Sequence, residues 1–196
     1  KLQSRVAAVA QGYEKAGVAA MSVLTNNQYF GGSLEDLLLV RSACNLSLLR
    51  KEFIVDAYQI HEAKAYGADA VLLIAACLSA DETNLLAKTA KSIGLEVLLE
   101  IHNKTELDES PLEFIDVVGV NNRNLNDFSV SLDTSLSLAE YIPSDKVKIS
   151  ESGISSHSAI GTLQKVGFDG FLMGEHFMLE EYPGDAAQQF IKTFRP

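Results

Sequence analysis

Short apolar runs alternate along this chain with longer segments in which apolar residues recur every three or four positions. The runs occupy residues 19–24, 46–49, 70–75, 97–101, 117–120, 147–149 and 171–173, and within them apolar side chains fall on consecutive positions. A strand covered on both faces has this pattern, whereas a strand with one wet face alternates. Helical periodicity predicts helices over residues 6–15, 34–42, 56–65, 80–93, 133–141, 156–165 and 185–194, with a short helical turn at 105–107. Ser79-Ala80-Asp81-Glu82 has the form of a helix start, and Asp56 and Ser156 are N-cap candidates.

A weak repeat ties these segments together. Glu14-Lys15-Ala16-Gly17, Lys64-Ala65-Tyr66-Gly67, Lys91-Ser92-Ile93-Gly94 and Gln164-Lys165-Val166-Gly167 each end a helix on basic charge and glycine, and an apolar run follows. Lysine in a last turn answers the helix dipole, and glycine suits the left-handed position after it. The unit "helix, glycine stop, buried strand" builds a parallel sheet with right-handed crossovers. No linker or low-complexity stretch divides it, so residues 1–196 are expected to form one domain. Eight such units close a TIM barrel of about 250 residues. The seven runs here begin after a helix, so the expectation is a (βα)8 barrel whose first strand lies upstream of the sequence given.

Parallel α/β enzymes hold their chemistry at the carboxyl ends of strands. Four runs end on groups capable of it: Lys51, Glu100, Asn121 with Arg123, and Ser150-Glu151-Ser152-Gly153. Glu100 stands inside a buried run, where an unpartnered carboxylate is costly. Asn121-Asn122-Arg123-Asn124 clusters amides around a guanidinium able to grip a carboxylate. Ser152-Gly153 and Gly174-Glu175 follow the last two runs, where barrels commonly bind phosphate.

Composition narrows the field. The formal charge is −10, with a pI of about 4.8. Such a surface argues against nucleic acid and acidic membrane as partners. The longest mostly apolar stretch, 68–80, is too short to span a bilayer. Cys44 and Cys77 lie in apolar contexts without CxxC or metal-ligand spacing and suggest two reduced core thiols in a cytoplasmic protein. His61, His102, His157 and His176 form no HxH or HExxH motif, so no metal is expected. GxGxxG, GxxxxGK[ST] and GxSxG are also absent.

Longer motifs carry a resemblance. Ser22-Val23-Leu24-Thr25 with Tyr29-Phe30-Gly31-Gly32-Ser33, Arg50-Lys51-Glu52-Phe53-Ile54-Val55-Asp56, and Gly67-Ala68-Asp69-Ala70-Val71-Leu72-Leu73-Ile74 form one group. Leu98-Leu99-Glu100-Ile101-His102, Gly119-Val120-Asn121-Asn122-Arg123-Asn124-Leu125 and Ser150-Glu151-Ser152-Gly153-Ile154-Ser155 complete the set. Together, over essentially the whole chain, they resemble the indole-3-glycerol phosphate synthases of tryptophan biosynthesis.

The resemblance implies a carbon–carbon lyase. It closes the indole ring of 1-(2-carboxyphenylamino)-1-deoxyribulose 5-phosphate without a cofactor, releasing carbon dioxide and water. Lys51 would be the general acid at the ketone, and Glu100 would serve the later proton transfers. Asn121 and Arg123 would surround the substrate's carboxylate and hydroxyls, with Glu151 nearby. Phe53 and Leu72 would wall the aromatic ring, and Ser152, Gly153, Gly174 and Glu175 would form the phosphate site. The implied partner is a small phosphorylated anion. The protein would be a monomer or weak homo-oligomer, free or associated with other enzymes of the pathway.

Two features depart from the family. Glu175 stands where serine is usual, so its side chain must turn away from a phosphate. The family's first-strand Glu-x-Lys stretch and Lys-Ser-Pro-Ser loop do not occur, so this stretch alone is expected to be a poor catalyst. Phosphoribosylanthranilate isomerase and the tryptophan synthase α subunit share the late glycine turns but not Lys51-Glu52-Phe53 or Asn121-Asn122-Arg123. A catalytically incompetent barrel used as a scaffold is the reading from another class.

Overall fold

The computed structural model describes residues 2–125 and 127–194. Seven parallel strands pair in chain order: β1 (Ala20–Leu24), β2 (Ser47–Lys51), β3 (Ala70–Ile74), β4 (Glu96–Ile101), β5 (Val117–Asn121), β6 (Val147–Glu151) and β7 (Gly170–Leu172). Each predicted run becomes a strand, its bounds moved by one or two residues. β3 stops at Ile74 because a single 3-10 turn, Ala75–Cys77, takes the chain off the sheet.

Among the described residues ten helices accompany the strands: α1 (Leu2–Ala16), α2 (Asn27–Phe30), α3 (Leu34–Ala43), α4 (Ala57–Ala65), α5 (Ala80–Ser92), α6 (Lys104–Glu109), α7 (Asp133–Leu138), α8 (His157–Lys165), α9 (Glu175–Met178) and α10 (Pro183–Thr193). The expected starts are present. Ser79 and Glu82 exchange bonds in a capping box, Asp56 and Gln59 make another, and the Ser156 hydroxyl accepts the Ala159 N–H. Gly67 and Gly167 follow α4 and α8 at φ +91° and +95°, as the glycine stops required. α2 and α9 were not predicted, being one turn each. No described helix is long and apolar enough to cross a membrane.

Strand alternation divides the core in two. Leu48, Val71, Leu73, Val97, Leu99, Val118 and Val120 face the helices in one large cluster. Leu49, Leu72, Ile74 and Leu98 form a second cluster inside the curled sheet. A helix-facing layer and an enclosed layer together explain why apolar residues fall on neighbouring positions within the runs. Among the described residues β1 and β7 are the sheet's two edges and do not pair. Helices bridge that side. α1 packs on α10 through Val9, Tyr13, Ala16 and Ala187, and Gly12 approaches Gly184 so closely that a Cβ on either would meet the other's backbone.

Aspartates fasten the amino ends of alternate strands. Asp69, just before β3, accepts the Leu48 N–H of β2 at 2.8 Å. Asp116, before β5, accepts the Val97 N–H of β4 at 2.9 Å, and Asp169, before β7, accepts the Lys148 N–H of β6 at 2.9 Å. Each backbone donor would otherwise be unpaired where its strand begins.

Candidate active site

Lys51, Glu100, Asn121 and Glu151 project inward from the carboxyl ends of β2, β4, β5 and β6. Strand register brings them level: Glu100 lies beside Gly119, and Asn121 beside Glu151. Lys51 Nζ donates to Glu151 Oε2 at 2.9 Å and to Glu100 Oε2 at 3.1 Å. Asn121 Nδ2 donates to Glu100 Oε1 at 3.1 Å, and Asn121 Oδ1 accepts from Ser152 Oγ at 2.8 Å and from the Arg123 N–H at 3.0 Å. Five of the sequence-derived residues thus form one hydrogen-bonded cluster around a single ammonium, and a sixth, Arg123, joins it through its backbone.

Lys51 is anchored from outside the sheet. Its neighbours Arg50 and Glu52 point the other way and are buried. Arg50 donates to Gln59 O at 2.7 Å and Thr25 Oγ1 at 3.1 Å, and pairs with Glu62 at 2.8 Å. Glu52 accepts from Thr25 Oγ1 and Asn26 Nδ2, each at 2.8 Å. These bonds fix the backbone on either side of Lys51. Sequence reasoning passed over them because their partners lie far along the chain.

Electrostatics separates the two carboxylates. Glu151 is completely buried, and desolvation raises its proton affinity. Lys51 opposes that rise, while the charge of Glu100 adds to it. Burial also works against ionised Glu100, but Lys51 and Asn121 prevail and hold it below the usual carboxylate range. Burial disfavours the Lys51 ammonium as well, yet Glu151 and Glu100 outweigh it and keep the amine protonated. The site therefore holds an ammonium between two carboxylates, Glu100 with its proton affinity lowered and Glu151 with its proton affinity raised. Glu151 Oε1 rests against Gly119, where a Cβ would collide with it.

The remaining sequence-derived residues lie around this cluster. Ser152 and Gly153 both have positive φ, +67° and +72°, which gives a tight turn after β6. Asn122 holds that turn. Its Nδ2 donates to Ser152 O and Ser150 Oγ, and its Oδ1 accepts from the Ser135 N–H and hydroxyl. Asn122 thus faces away from the guanidinium around which the sequence placed it. Gly174 precedes α9, and the Glu175 carboxylate pairs with Arg123 Nη2 at 3.2 Å. Phe53 is part-exposed and stacks on Phe30, with Tyr29 edge-on. Leu72 lies in the enclosed apolar layer, 2% exposed. His102, to which the sequence gave no role, lies just past β4 and 3.6 Å from Glu100; its place two residues after Glu100 was the available signal. No group of three potential metal ligands occurs among the described residues.

A curled parallel α/β sheet with its buried charged groups gathered at the carboxyl ends of its strands defines an enzyme of the barrel type. The indole-3-glycerol phosphate synthase family model matches residues 1–192, and the chain belongs to that family. It is 44% identical over 195 residues to indole-3-glycerol phosphate synthase of Bacteroides thetaiotaomicron, covering 100% of this chain and 75% of that protein. It is 48% identical over 169 residues to the enzyme of Campylobacter fetus, covering 86% and 66%. The chain therefore spans about two-thirds to three-quarters of these relatives. In fold it is similar to a crystal structure of 3-hexulose-6-phosphate synthase, with a TM-score of 0.77 at 15% identity over 98% of this chain and 95% of that one.

Proposed function

We propose that this chain closes the indole ring of 1-(2-carboxyphenylamino)-1-deoxyribulose 5-phosphate to give indole-3-glycerol phosphate. The observation that carries the reading is Lys51 Nζ, held between Glu100 and Glu151 at the strand ends. The ring carbon bearing the carboxylate attacks the ketone, and Lys51 gives its proton to the ketone oxygen as charge develops there. Carbon dioxide leaves and restores the aromatic ring. The new hydroxyl then leaves as water, with Glu100 accepting and returning protons, and Asn121 orients Glu100 throughout. None of these steps requires a cofactor.

Arg123 takes the substrate carboxylate in this reading, exchanging Glu175 for it, and Glu151 borders the substrate. Phe53 and Leu72 wall the aromatic ring. The phosphate lies on the Ser152-Gly153 turn and the backbone at Gly174 and Glu175. The pairing of Glu175 with Arg123 supports this placement, because it directs that side chain towards the guanidinium and leaves the backbone N–H groups free to serve the anion. One more strand between β7 and β1 would complete an eight-stranded catalytic domain. The two unpaired edges and the greater length of the relatives support that part of the proposal.

The test is indole fluorescence during turnover. Lys51→Ala in the full-length protein is expected to lose at least ~100-fold in kcat, and undiminished turnover would overturn the assignment.

A further inference from the structure

β4 ends at Ile101, and His102, the first residue past it, turns its ring towards Glu100. Its side chain is 11% exposed. Nδ1 lies 3.2 Å from Glu106 Oε2, and the same oxygen accepts the His102 backbone N–H at 2.7 Å. Glu106 is fixed in turn at the start of α6, where Asn103 Nδ2 donates to it at 2.7 Å and Asn103 Oδ1 accepts its backbone N–H. The far nitrogen, Nε2, is buried without a hydrogen-bond partner and stands 3.6 Å from Glu100 Oε1. A carboxylate thus braces the ring from behind while its other edge faces the proposed base.

The charges around the site give that geometry a purpose. Glu100 and Glu151 share one ammonium, Lys51, which is also the group that the proposed reaction discharges. Once the Lys51 proton has passed to the ketone oxygen, Glu100 would face Glu151 with no cation from the inner layer beside it. We propose that His102, braced by Glu106, is a positioning residue that keeps Glu100 ionised and oriented while Lys51 is neutral. This rests on the roles given to Lys51 and Glu100 above. In that first step the proton passes from Lys51 Nζ to the substrate oxygen, and through the later transfers by Glu100 His102 keeps its own.

The groups facing this pair are Lys51 from β2, Glu151 from β6 and Glu106 from α6, with neutral Asn121 from β5 and the Cys77 thiol on the turn after β3. Burial alone would lower the proton affinity of His102. The bond to Glu106 and the charges of Glu100, Glu106 and Glu151 reverse that and raise it above the ordinary imidazole value. Glu106 is correspondingly held low by the His102 bonds and charge, against its own burial.

The experiment is the pH profile of kcat for His102→Gln and Glu106→Gln in the full-length protein, with Glu100→Gln alongside and thermal melting to confirm folding. Removing the cation raises the proton affinity of Glu100. In His102→Gln the acid limb should therefore move up by about one pH unit, and kcat near neutrality should fall about three- to tenfold with KM within about twofold. Glu106→Gln should move the limb the same way by less. A limb unmoved in folded His102→Gln, or a raised KM with kcat intact, overturns the proposal; Glu106→Gln decides it if His102→Gln does not fold. Full turnover in Glu100→Gln would overturn the role of Glu100 and this proposal with it. Lost turnover there, with unmoved limbs in the other two variants, confines the failure to His102.

Discussion

Lys51 and Glu151 show how much of the chemistry depends on single atoms. Glu151 is fully buried, and its position depends on Lys51 and on the missing side chain at Gly119. Gly119→Ala is therefore expected to push the Glu151 carboxylate off Lys51 and to cut kcat about tenfold or more while the protein still folds, as melting and turnover measured together would show. Glu175 offers a subtler test. Its carboxylate occupies the guanidinium proposed to receive the substrate carboxylate. Glu175→Gln should free Arg123 and lower KM severalfold with little change in kcat, and a raised KM would instead mean that the pair helps to build the site. At this scale the sequence picked out side chains that the fold brings into one cluster. Glu100 was legible because charge inside a buried run has few inexpensive explanations, and Lys51 because it stands at the carboxyl end of one. For His102 the one signal was its place two residues after Glu100, and that alone does not show that its Nε2 faces a carboxylate.

Among the elements, legibility followed length and burial. β2 to β6 announced themselves through consecutive apolar residues, and α4, α5 and α8 through their caps. α2 and α9 hold four residues each, too few for a 3.6-residue period to register. The bonds that support the site cross between elements and leave no local pattern. Asn122, 2% exposed, joins β5 to Ser135 in α7, to Ser150 in β6 and to the turn at Ser152. Asn122→Ala should cost about 1–3 kcal/mol of stability, because it leaves buried serine groups unpaired, and should loosen the Ser152-Gly153 turn. Chemical denaturation would give the first effect, and weaker binding of a phosphate-bearing substrate the second. Ser79→Ala, which removes one half of a capping box, should cost about 1 kcal/mol and leave turnover unchanged.

For the whole molecule, the sheet is held at one end and reactive at the other. Asp116 sits at the held end, where it accepts from Lys91 Nζ at 2.7 Å and from the Val97 N–H. Burial disfavours its charge, but these bonds outweigh that and place its proton affinity below the ordinary value of 3.8. A carboxyl group lowered on folding stabilises the protein above its unfolded value and loses that contribution as pH falls through the folded one. Asp116→Asn should therefore lower the melting temperature at pH 7, and the gap from the parent protein should close as pH falls below 3.8 through the lowered folded value. A constant gap would show that the carboxylate acts only as a hydrogen-bond acceptor.

The three aspartates also group the strands. Asp69 binds β3 to β2, Asp116 binds β5 to β4, and Asp169 binds β7 to β6. The charged groups of the site come one from each couple: Lys51, Glu100 and Glu151. Local opening should then proceed in steps of two strands rather than one, each step withdrawing one charge from the centre. Native-state hydrogen exchange would register this as three cooperative units, with the amides of Leu48, Val97 and Lys148 each exchanging in step with its own couple.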